Sequence, residues 1–141
     1  MHNRIERISP KLEFLSDQLL HLDLSWNQLQ GPSIFKTKLV ELKMLEYLNL
    51  EGNLITSIAG GVKQLTRLRV LRLAQNRIAD LKDLTNLQTL PSLENVTLHS
   101  NPMSEVEHYH RYVIHILRSV RLVDGKEVTS DDRIDADRQF D

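Results

Sequence analysis

The chain contains no cysteine among its 141 residues, so it can form neither a disulfide bond nor a thiolate metal site. It has no apolar stretch of transmembrane length, and its N-terminus lacks the apolar core of a signal peptide. Together these absences predict an intracellular protein in a reducing compartment, cytoplasmic or nuclear, that does not bind a membrane.

The chain also has no large excess of positive or negative charge. The 18 Lys/Arg and 19 Asp/Glu leave a net charge of −1, so the chain has no global attraction to nucleic acid or to an anionic membrane. Aromatic residues make up only 5% of the chain, and no basic stripe interleaves with them, which argues against direct nucleic-acid binding. Charge is uneven locally, because residues 124–141 carry seven Asp/Glu and three Lys/Arg.

What the chain does contain is leucine, in four copies of one pattern that each end on an asparagine. The copies are Leu19-x-x-Leu22-x-Leu24-x-x-Asn27, Leu45-x-x-Leu48-x-Leu50-x-x-Asn53, Leu68-x-x-Leu71-x-Leu73-x-x-Asn76 and Leu93-x-x-Val96-x-Leu98-x-x-Asn101. The asparagines are 26, 23 and 25 residues apart. A period of this size with this consensus is the signature of a leucine-rich repeat.

The repeat has a physical explanation that predicts the fold class. The three apolar positions of each coil point inward and stack on those of the next coil of a right-handed solenoid. The asparagine offers a donor and an acceptor to buried backbone groups where the chain leaves the strand. Between the copies, apolar residues recur about every third position, which suits 3₁₀ turns better than a long α-helix. The prediction is an α/β solenoid with a parallel concave sheet, a short 3₁₀ or helical convex side and a C-terminal helical cap.

The pattern also predicts the organisation of the chain. A partial first repeat covers 1–18, full repeats begin at 19, 45, 68 and 93, and a cap covers 102–123. Within the cap, apolar residues have the spacing of an amphipathic helix, followed by a short strand; they are Tyr109, Tyr112, Val113, Ile116, Leu117 and Val120. The acidic tail, 124–141, has two interpretations. It is either a solvated, frayed segment or a helix that begins with a cap at Ser130 and folds back over the last coil.

The cap resembles that of a known family. The matching segments are Asn101-Pro102, Tyr112-Val113-Ile114, Asp124-Gly125 and the stretch from Ala136 to Phe140. They resemble intracellular leucine-rich repeat proteins typified by a yeast protein phosphatase regulator, which include the spliceosomal U2 A-prime protein and an axonemal dynein light chain. The resemblance covers nearly the whole chain. It implies a protein-binding role in phosphatase regulation, in the cytoskeleton and cilia, or in ribonucleoprotein assembly.

Side chains that alternate with the inward leucines face the concave side of each strand, and seven of them form the predicted partner-binding surface. They are His21, Asp23, Trp26, Tyr47, Asn49, Glu51 and Arg72. Trp26, the only tryptophan, is interpreted either as a binding anchor or as a ring folded over a neighbouring turn or the Gly31-Pro32 loop. Tyr47 is either an anchor or a space-filler on the sheet. Arg69 and Arg72 have a simpler interpretation as cross-strand partners of nearby glutamates.

The residues that could support catalysis do not form a recognisable site. His21 and Asp23 share a strand face, but no activated serine or oxyanion loop accompanies them. Three histidines follow one another in the cap without the i, i+4 spacing of a helical metal site; they are His108, His110 and His115. No glycine-rich phosphate loop is present. We therefore expect a protein that is not an enzyme and holds no metal or cofactor.

The predicted function is a non-catalytic interaction module that scaffolds or targets a protein partner bound on the concave sheet. The alternative is a ribonucleoprotein assembly component, similar to the A-prime protein, that binds an RNA-binding protein rather than RNA. The partial first repeat has neither a strand half nor a polar cap. This leaves three interpretations: the chain is a fragment of a larger protein, it begins with an unusual edge, or it covers the apolar edge by self-association.

Overall fold

The computed structural model describes residues 18–30 and 33–140. Within them one sheet has six strands, of which the first five are parallel and the last is antiparallel to its neighbour. The strands are β1 (His21–Asp23), β2 (Tyr47–Asn49), β3 (Val70–Arg72), β4 (Asn95–Thr97), β5 (Leu122–Val123) and β6 (Lys126–Glu127). Their order in the sheet is their order in the sequence, so each coil lies beside the next, as the repeat predicts.

Two parts of the sequence prediction lie outside the described residues. One is the partial first repeat, apart from residue 18, together with the self-association assigned to its edge. The other is the Gly31-Pro32 turn.

The inward positions of the repeat form a continuous row across the sheet. Leu22 is paired with Leu48, Leu48 with Leu71, and Leu71 with Val96, and Val123 of the cap extends the row beyond Val96. All but Leu22 have no exposed surface. Burial of one such side chain stabilises the fold by about 1.5–3 kcal/mol. Successive coils therefore share one narrow apolar core, which confirms the predicted solenoid.

The return halves of the coils consist of 3₁₀ helices. They cover Ile34–Lys36, Lys38–Glu41, Gly61–Gln64 and Leu81–Leu87. In the last of these, Leu84 and Leu87 are both buried, because a helix with three residues per turn brings every third side chain to the same face. The structure thus confirms the predicted 3₁₀ convex side.

The asparagines form a column of hydrogen bonds that joins the coils. Asn76 Nδ2 donates to Leu50 O and to Leu73 O, each at 3.0 Å, and Asn76 Oδ1 accepts from Ile55 N at 3.0 Å. The asparagines of the neighbouring coils repeat this arrangement; they are Asn53 and Asn101. Each of these three amides satisfies backbone groups of two successive coils, which is the role that the sequence predicted.

The cap begins with a 3₁₀ helix, Pro102–Glu105, and continues with helix α1 (Tyr109–Ile116). Helix α1 buries Tyr109, Val113, Ile114 and Ile116, which places its apolar face over the last coil. Strand β5 follows after residues 117–121, where the sequence predicted a short strand.

Of the two interpretations of the acidic tail, the structure has the helix, α2 (Ser130–Phe140). Its N-terminal cap lies one residue earlier than expected. Thr129 Oγ1 accepts from Asp132 N at 3.1 Å, and Asp132 Oδ2 accepts from Thr129 N at 2.9 Å. The two residues form a reciprocal capping box, so Thr129 performs the role that the sequence assigned to Ser130.

Helix α2 packs on α1 through one small residue, an aromatic contact of Phe140 with Tyr112 and several polar contacts. Ala136 is completely buried, and the Arg133 guanidinium donates to two backbone carbonyls of the cap, Ile114 O at 2.8 Å and Val120 O. Asp137 accepts from Arg118 through both carboxylate oxygens, at 2.7 and 3.1 Å. The tail therefore adds a second layer to the cap.

Candidate protein-binding face

The register of the strands assembles the predicted binding residues into two rows. His21, Tyr47 and Val70 lie opposite one another, and Asp23, Asn49 and Arg72 form the second row. Because side chains alternate along a strand, both rows lie on the face opposite the inward leucines. Five of the seven predicted residues are therefore neighbours on one surface, with Glu51 directly beyond the end of β2.

The first row contains an aromatic pair at the mouth of a small groove. The rings of His21 and Tyr47 are stacked, with centroids 5.5 Å apart and planes inclined by 18°. They line an open groove of about 190 Å³, together with Glu46, Arg69 and Val70. Pockets for small-molecule ligands typically measure about 300–1,000 Å³. The size of this groove suits one side chain of a partner better than a whole small molecule.

The second row is polar, and two of its side chains form hydrogen bonds to the turns that follow their own strands. Asp23 Oδ1 accepts from Ser25 Oγ at 2.6 Å and from Ser25 N at 2.9 Å, and the bond from the hydroxyl lowers the pKa of Asp23. Asn49 Oδ1 accepts from Glu51 N at 2.9 Å, which leaves Asn49 buried. Asp23 is thus an exposed, ionised carboxylate, whereas Asn49 mainly holds the turn that follows β2.

Two arginines of the face pair with glutamates on neighbouring coils. Arg72 lies 3.2 Å from Glu51, and Arg69 lies 3.1 Å from Glu94. The exposed Arg69–Glu94 pair contributes at most about 1 kcal/mol to stability. Glu46 has no hydrogen bond or ion pair through its carboxylate to any residue that the structure describes. The cross-strand interpretation therefore holds for both arginines and leaves Glu46 on the face without a direct ion-pair partner among the described residues.

Trp26 lies apart from the groove, at the turn that follows β1. Its backbone has a φ of 55°, and its indole ring lies against Gly52 of the next turn. The side chain nevertheless keeps 36% of its surface exposed. The ring is thus folded over a neighbouring turn, one of the two arrangements considered from the sequence, and still presents an apolar surface beside the concave face.

Three residues that line the groove were outside the predicted set, namely Glu46, Arg69 and Val70. The signal that could have included them is the repeat itself, because they occupy the second and third positions of the pattern. Val70 lies in the same row as the selected His21 and Tyr47, and Glu46 and Arg69 each lie one residue before that row.

Asp124 is a further residue whose role the repeat pattern did not indicate. In the preceding coils, the backbone N–H groups of Leu24, Leu50 and Leu73 each donate to a carbonyl of the next strand. At the last coil, Leu98 N donates to Asp124 Oδ1 at 2.6 Å, and His99 N donates to the same oxygen at 3.0 Å. The Asp124 carboxylate therefore replaces the backbone acceptor that another coil would supply.

Tyr109 completes this closure of the sheet. Its hydroxyl donates to Asp124 Oδ2 at 2.7 Å. Burial of the ring and the adjacent Asp124 carboxylate both raise the pKa of Tyr109, so the phenol remains a neutral donor. The Asp124 carboxylate thus connects α1 to the last coil of the solenoid by hydrogen bonds, in addition to the apolar packing of the helix.

Among the residues that the structure describes, no helix is both long enough and apolar enough to cross a membrane. No group of three potential ligands, whether histidine, aspartate or glutamate, is placed to hold a metal ion in that part of the chain.

The fold and the repeat define a class of protein: a leucine-rich repeat solenoid closed by a helical cap. Residues 3–141 match the leucine-rich repeat family, and the chain belongs to it. The U2 small nuclear ribonucleoprotein A' of Schizosaccharomyces pombe is 33% identical over 100 residues, which cover 70% of this chain and 42% of that protein. The human protein of the same name is 32% identical over 125 residues, 88% of this chain and 48% of the relative.

Another relative is human Leucine-rich repeat-containing protein 51, which is 37% identical over 93 residues, 66% of this chain and 48% of that protein. The chain thus spans less than half the length of these curated relatives. Among solved structures, a chain in the crystal structure of the Drosophila melanogaster SNF/U2A' complex has a TM-score of 0.83 at 28% identity, covering 97% of this chain and 76% of that chain. A leucine-rich repeat protein of Leptospira interrogans has a TM-score of 0.68 at 28% identity, with coverages of 88% and 29%. These similarities confirm the resemblance that the cap motifs predicted.

Proposed function

We propose that this chain is a non-catalytic interaction module that binds one protein partner on its concave sheet. The observation that carries the proposal is the stacked pair of His21 and Tyr47 beside an open groove on the parallel sheet. Aromatic residues are enriched at the centres of protein interfaces, and the stacking of the two rings reduces the ordering cost at binding.

The remaining predicted residues surround this centre. Asp23 and Arg72 supply charge in the second row, and Glu51 positions Arg72 through the ion pair at 3.2 Å. Asn49 donates to the Tyr47 hydroxyl at 3.4 Å and thereby supports the orientation of the ring. Trp26 provides an exposed indole at the C-terminal end of β1. The role proposed for the module is to scaffold or target its partner.

The test is affinity capture from cell extract with the intact protein and with two variants, Tyr47→Ala and Trp26→Ala. Removal of an interface anchor typically weakens binding by about 2 kcal/mol or more, close to thirtyfold. Lys63→Ala, on the exposed convex side, is the matched control. Loss of the same partner from Tyr47→Ala alone or from both variants supports the proposal, whereas full capture by both folded variants contradicts it.

We infer a second candidate function, assembly of a ribonucleoprotein through binding of an RNA-binding protein. The supporting observations are the identity to the U2 small nuclear ribonucleoprotein A' relatives and the TM-score of 0.83 to a chain of the SNF/U2A' complex. The near-neutral net charge accords with a partner that contacts RNA in place of this chain. Binding to an isolated RNA-recognition domain, without binding to RNA alone, would favour this candidate over a scaffold outside ribonucleoproteins.

The proposal places the protein inside the cell, in the cytoplasm or the nucleus. The nuclear ribonucleoprotein names of the relatives support the nucleus. A cytoskeletal, ciliary or phosphatase-regulatory role stays a proposal from the family resemblance, without support from the relatives described above. Fluorescence microscopy of the tagged full-length protein distinguishes these locations.

A further inference from the structure

We propose that the groove beside His21 and Tyr47 takes a cationic side chain of the partner, with arginine preferred to lysine. The inference rests on the proposed function, because it states which chemistry of a protein partner the concave face would recognise. It follows from the distribution of charge, from the aromatic wall of the groove and from its size.

The first two strands and their flanking face positions carry negative charge alone. Residues 20–26 and 46–52 contain Asp23, Glu46 and Glu51 but no lysine or arginine. The compensating cations are on β3 or directly before it. Opposite charges brought together across an interface increase the association rate and suppress partners of the wrong sign. The β1 and β2 side of the face is therefore complementary to a basic surface.

Within this region the groove contains a carboxylate, that of Glu46, which has no direct ion-pair partner among the described residues. Glu51 is paired with Arg72, and Asp23 accepts two hydrogen bonds from Ser25. Glu46 lines the groove, and its carboxylate has neither kind of partner in the described part of the chain. Arg69, the cation that also lines the groove, is held by Glu94 at 3.1 Å. A cation from a partner would thus meet an available carboxylate and an arginine whose charge is already offset.

The aromatic wall favours arginine over lysine. A guanidinium is planar, so it can stack on an aromatic ring and donate two parallel hydrogen bonds to a carboxylate at the same time. Tyr47 and Glu46 are adjacent in the sequence and line the same groove. The volume of about 190 Å³ suits a guanidinium and part of its stem. An ammonium group would form the ion pair without the stacking contact.

The experiment is an NMR titration of the whole chain, labelled with ¹⁵N, with N-acetyl-arginine methylamide as the probe. We expect saturable shifts confined to amides around Glu46, Tyr47 and Val70. Glu46→Gln is expected to weaken binding of the probe by up to about fivefold, which is the upper range for one exposed ion pair. Glu46→Asp should retain part of the affinity. Glu105→Gln, an exposed glutamate of the cap, serves as the matched control and should bind like the original protein.

Two comparisons decide the outcome. N-acetyl-glutamine methylamide must give smaller shifts than the arginine probe, and N-acetyl-lysine methylamide must bind more weakly. Equal shifts with all three probes, shifts spread over the chain, or unchanged affinity in folded Glu46→Gln would each overturn the inference.

Failure here is distinguishable from failure of the proposed function. If the arginine probe does not bind but partner capture still requires Tyr47, the concave face binds a partner of different chemistry and only this inference falls. If the probe binds in the groove but capture does not depend on Tyr47 or Trp26, the proposed function falls and the cation site stands.

Discussion

The indole ring of Trp26 occupies the space that a side chain on Gly52 would need. A Cβ built on Gly52 would lie 2.3 Å from Trp26 Cε3 and 2.4 Å from Trp26 Cδ2. The two residues hold the same position in successive repeats, directly before an asparagine, and both have positive φ. A large ring on one coil therefore requires the smallest residue on the next.

The first prediction concerns this contact. Gly52→Ala should lower the free energy of unfolding by about 2–4 kcal/mol, since it combines the cost of a left-handed alanine with overpacking against the ring. Gly125→Ala is the matched control, because Gly125 has a φ of +80° but no atom within 4 Å of the added Cβ. It should cost only the conformational part, about 1–2 kcal/mol. Urea denaturation measures both.

In the Trp26→Ala background, Gly52→Ala should cost only the conformational part, because the ring that the added methyl group would contact is absent. Equal destabilisation by the two glycine variants would show that the ring moves aside without cost.

The second prediction concerns the asparagine column. Asn76→Ala removes bonds to Leu50 O, Leu73 O and Ile55 N, all buried backbone groups. Leu50 O still accepts from Asn53 Nδ2, and Leu73 O still accepts from Asn101 Nδ2, so Ile55 N is the group that is left unsatisfied. One unsatisfied buried group costs about 1–3 kcal/mol, and we expect a loss of this size in urea denaturation. Asn86→Ala provides the control, since the Asn86 side chain bonds only within its own 3₁₀ helix. A comparable loss in the two variants would refute the inter-coil role of the column.

The third prediction concerns the hydroxyl of Tyr109. A hydrogen bond to a carboxylate contributes about 1.5–3 kcal/mol, so Tyr109→Phe should reduce stability by that amount at neutral pH. Because folding raises the pKa of Tyr109, the unfolded state releases this proton more readily than the folded state. The contribution is therefore complete below the unfolded pKa, about 10, and declines as the pH rises above it.

Thermal denaturation between pH 8 and pH 11 measures this dependence. Tyr109→Phe should show a shallower alkaline decline than the original protein, while Tyr112→Phe, a partly buried tyrosine of the same helix, should retain it. If the stability of all three proteins declines in parallel over this pH range, the titration of Tyr109 is not linked to folding.

The fourth prediction concerns the docking of α2. Hydrogen bonds from Arg118 and His115 lower the pKa of Asp137 to about 2. Because the pKa of Asp137 is lower in the folded protein than in the unfolded chain, where it is about 3.9, the ionised carboxylate stabilises the docked helix at pH values above about 3.9. This contribution is lost as the pH falls from about 3.9 toward 2. Asp137→Asn should consequently accelerate amide hydrogen exchange across Ser130–Phe140 at pH 7.

Asp135→Asn, an exposed aspartate on the same helix, is the control and should leave exchange unchanged. If both variants exchange at the original rate, the contacts of Arg133 and Ala136 hold α2 without help from Asp137.

Much of the fold follows from local pattern. The spacing of the leucines predicts which residues enter the core, and the register of Leu48 with Leu71 confirms it. The asparagine column was predictable for the same reason, because a repeated turn presents the same backbone groups in every coil. Spacing by three residues likewise indicated 3₁₀ return segments.

For the candidate binding face, the sequence predicted which residues lie in each row but not the contacts between their side chains. Alternation along each strand placed His21 and Tyr47 on one face, but the stacking of their rings depends on side-chain rotamers across two coils. The same holds for Arg72, which pairs with Glu51, whereas Glu46 remains without a cation. The pattern contains no information about which of several nearby charges meet.

By itself, the sequence determined the solenoid, its inward leucines and its asparagine column, since these depend on a period repeated along the chain. Only the tertiary structure decided that Asp124 closes the sheet, that α2 packs on α1 and that Trp26 lies on Gly52. These contacts join residues up to 28 positions apart at places where the repeat is interrupted or its variable positions meet. Their partners are selected by packing in space, which no local period specifies.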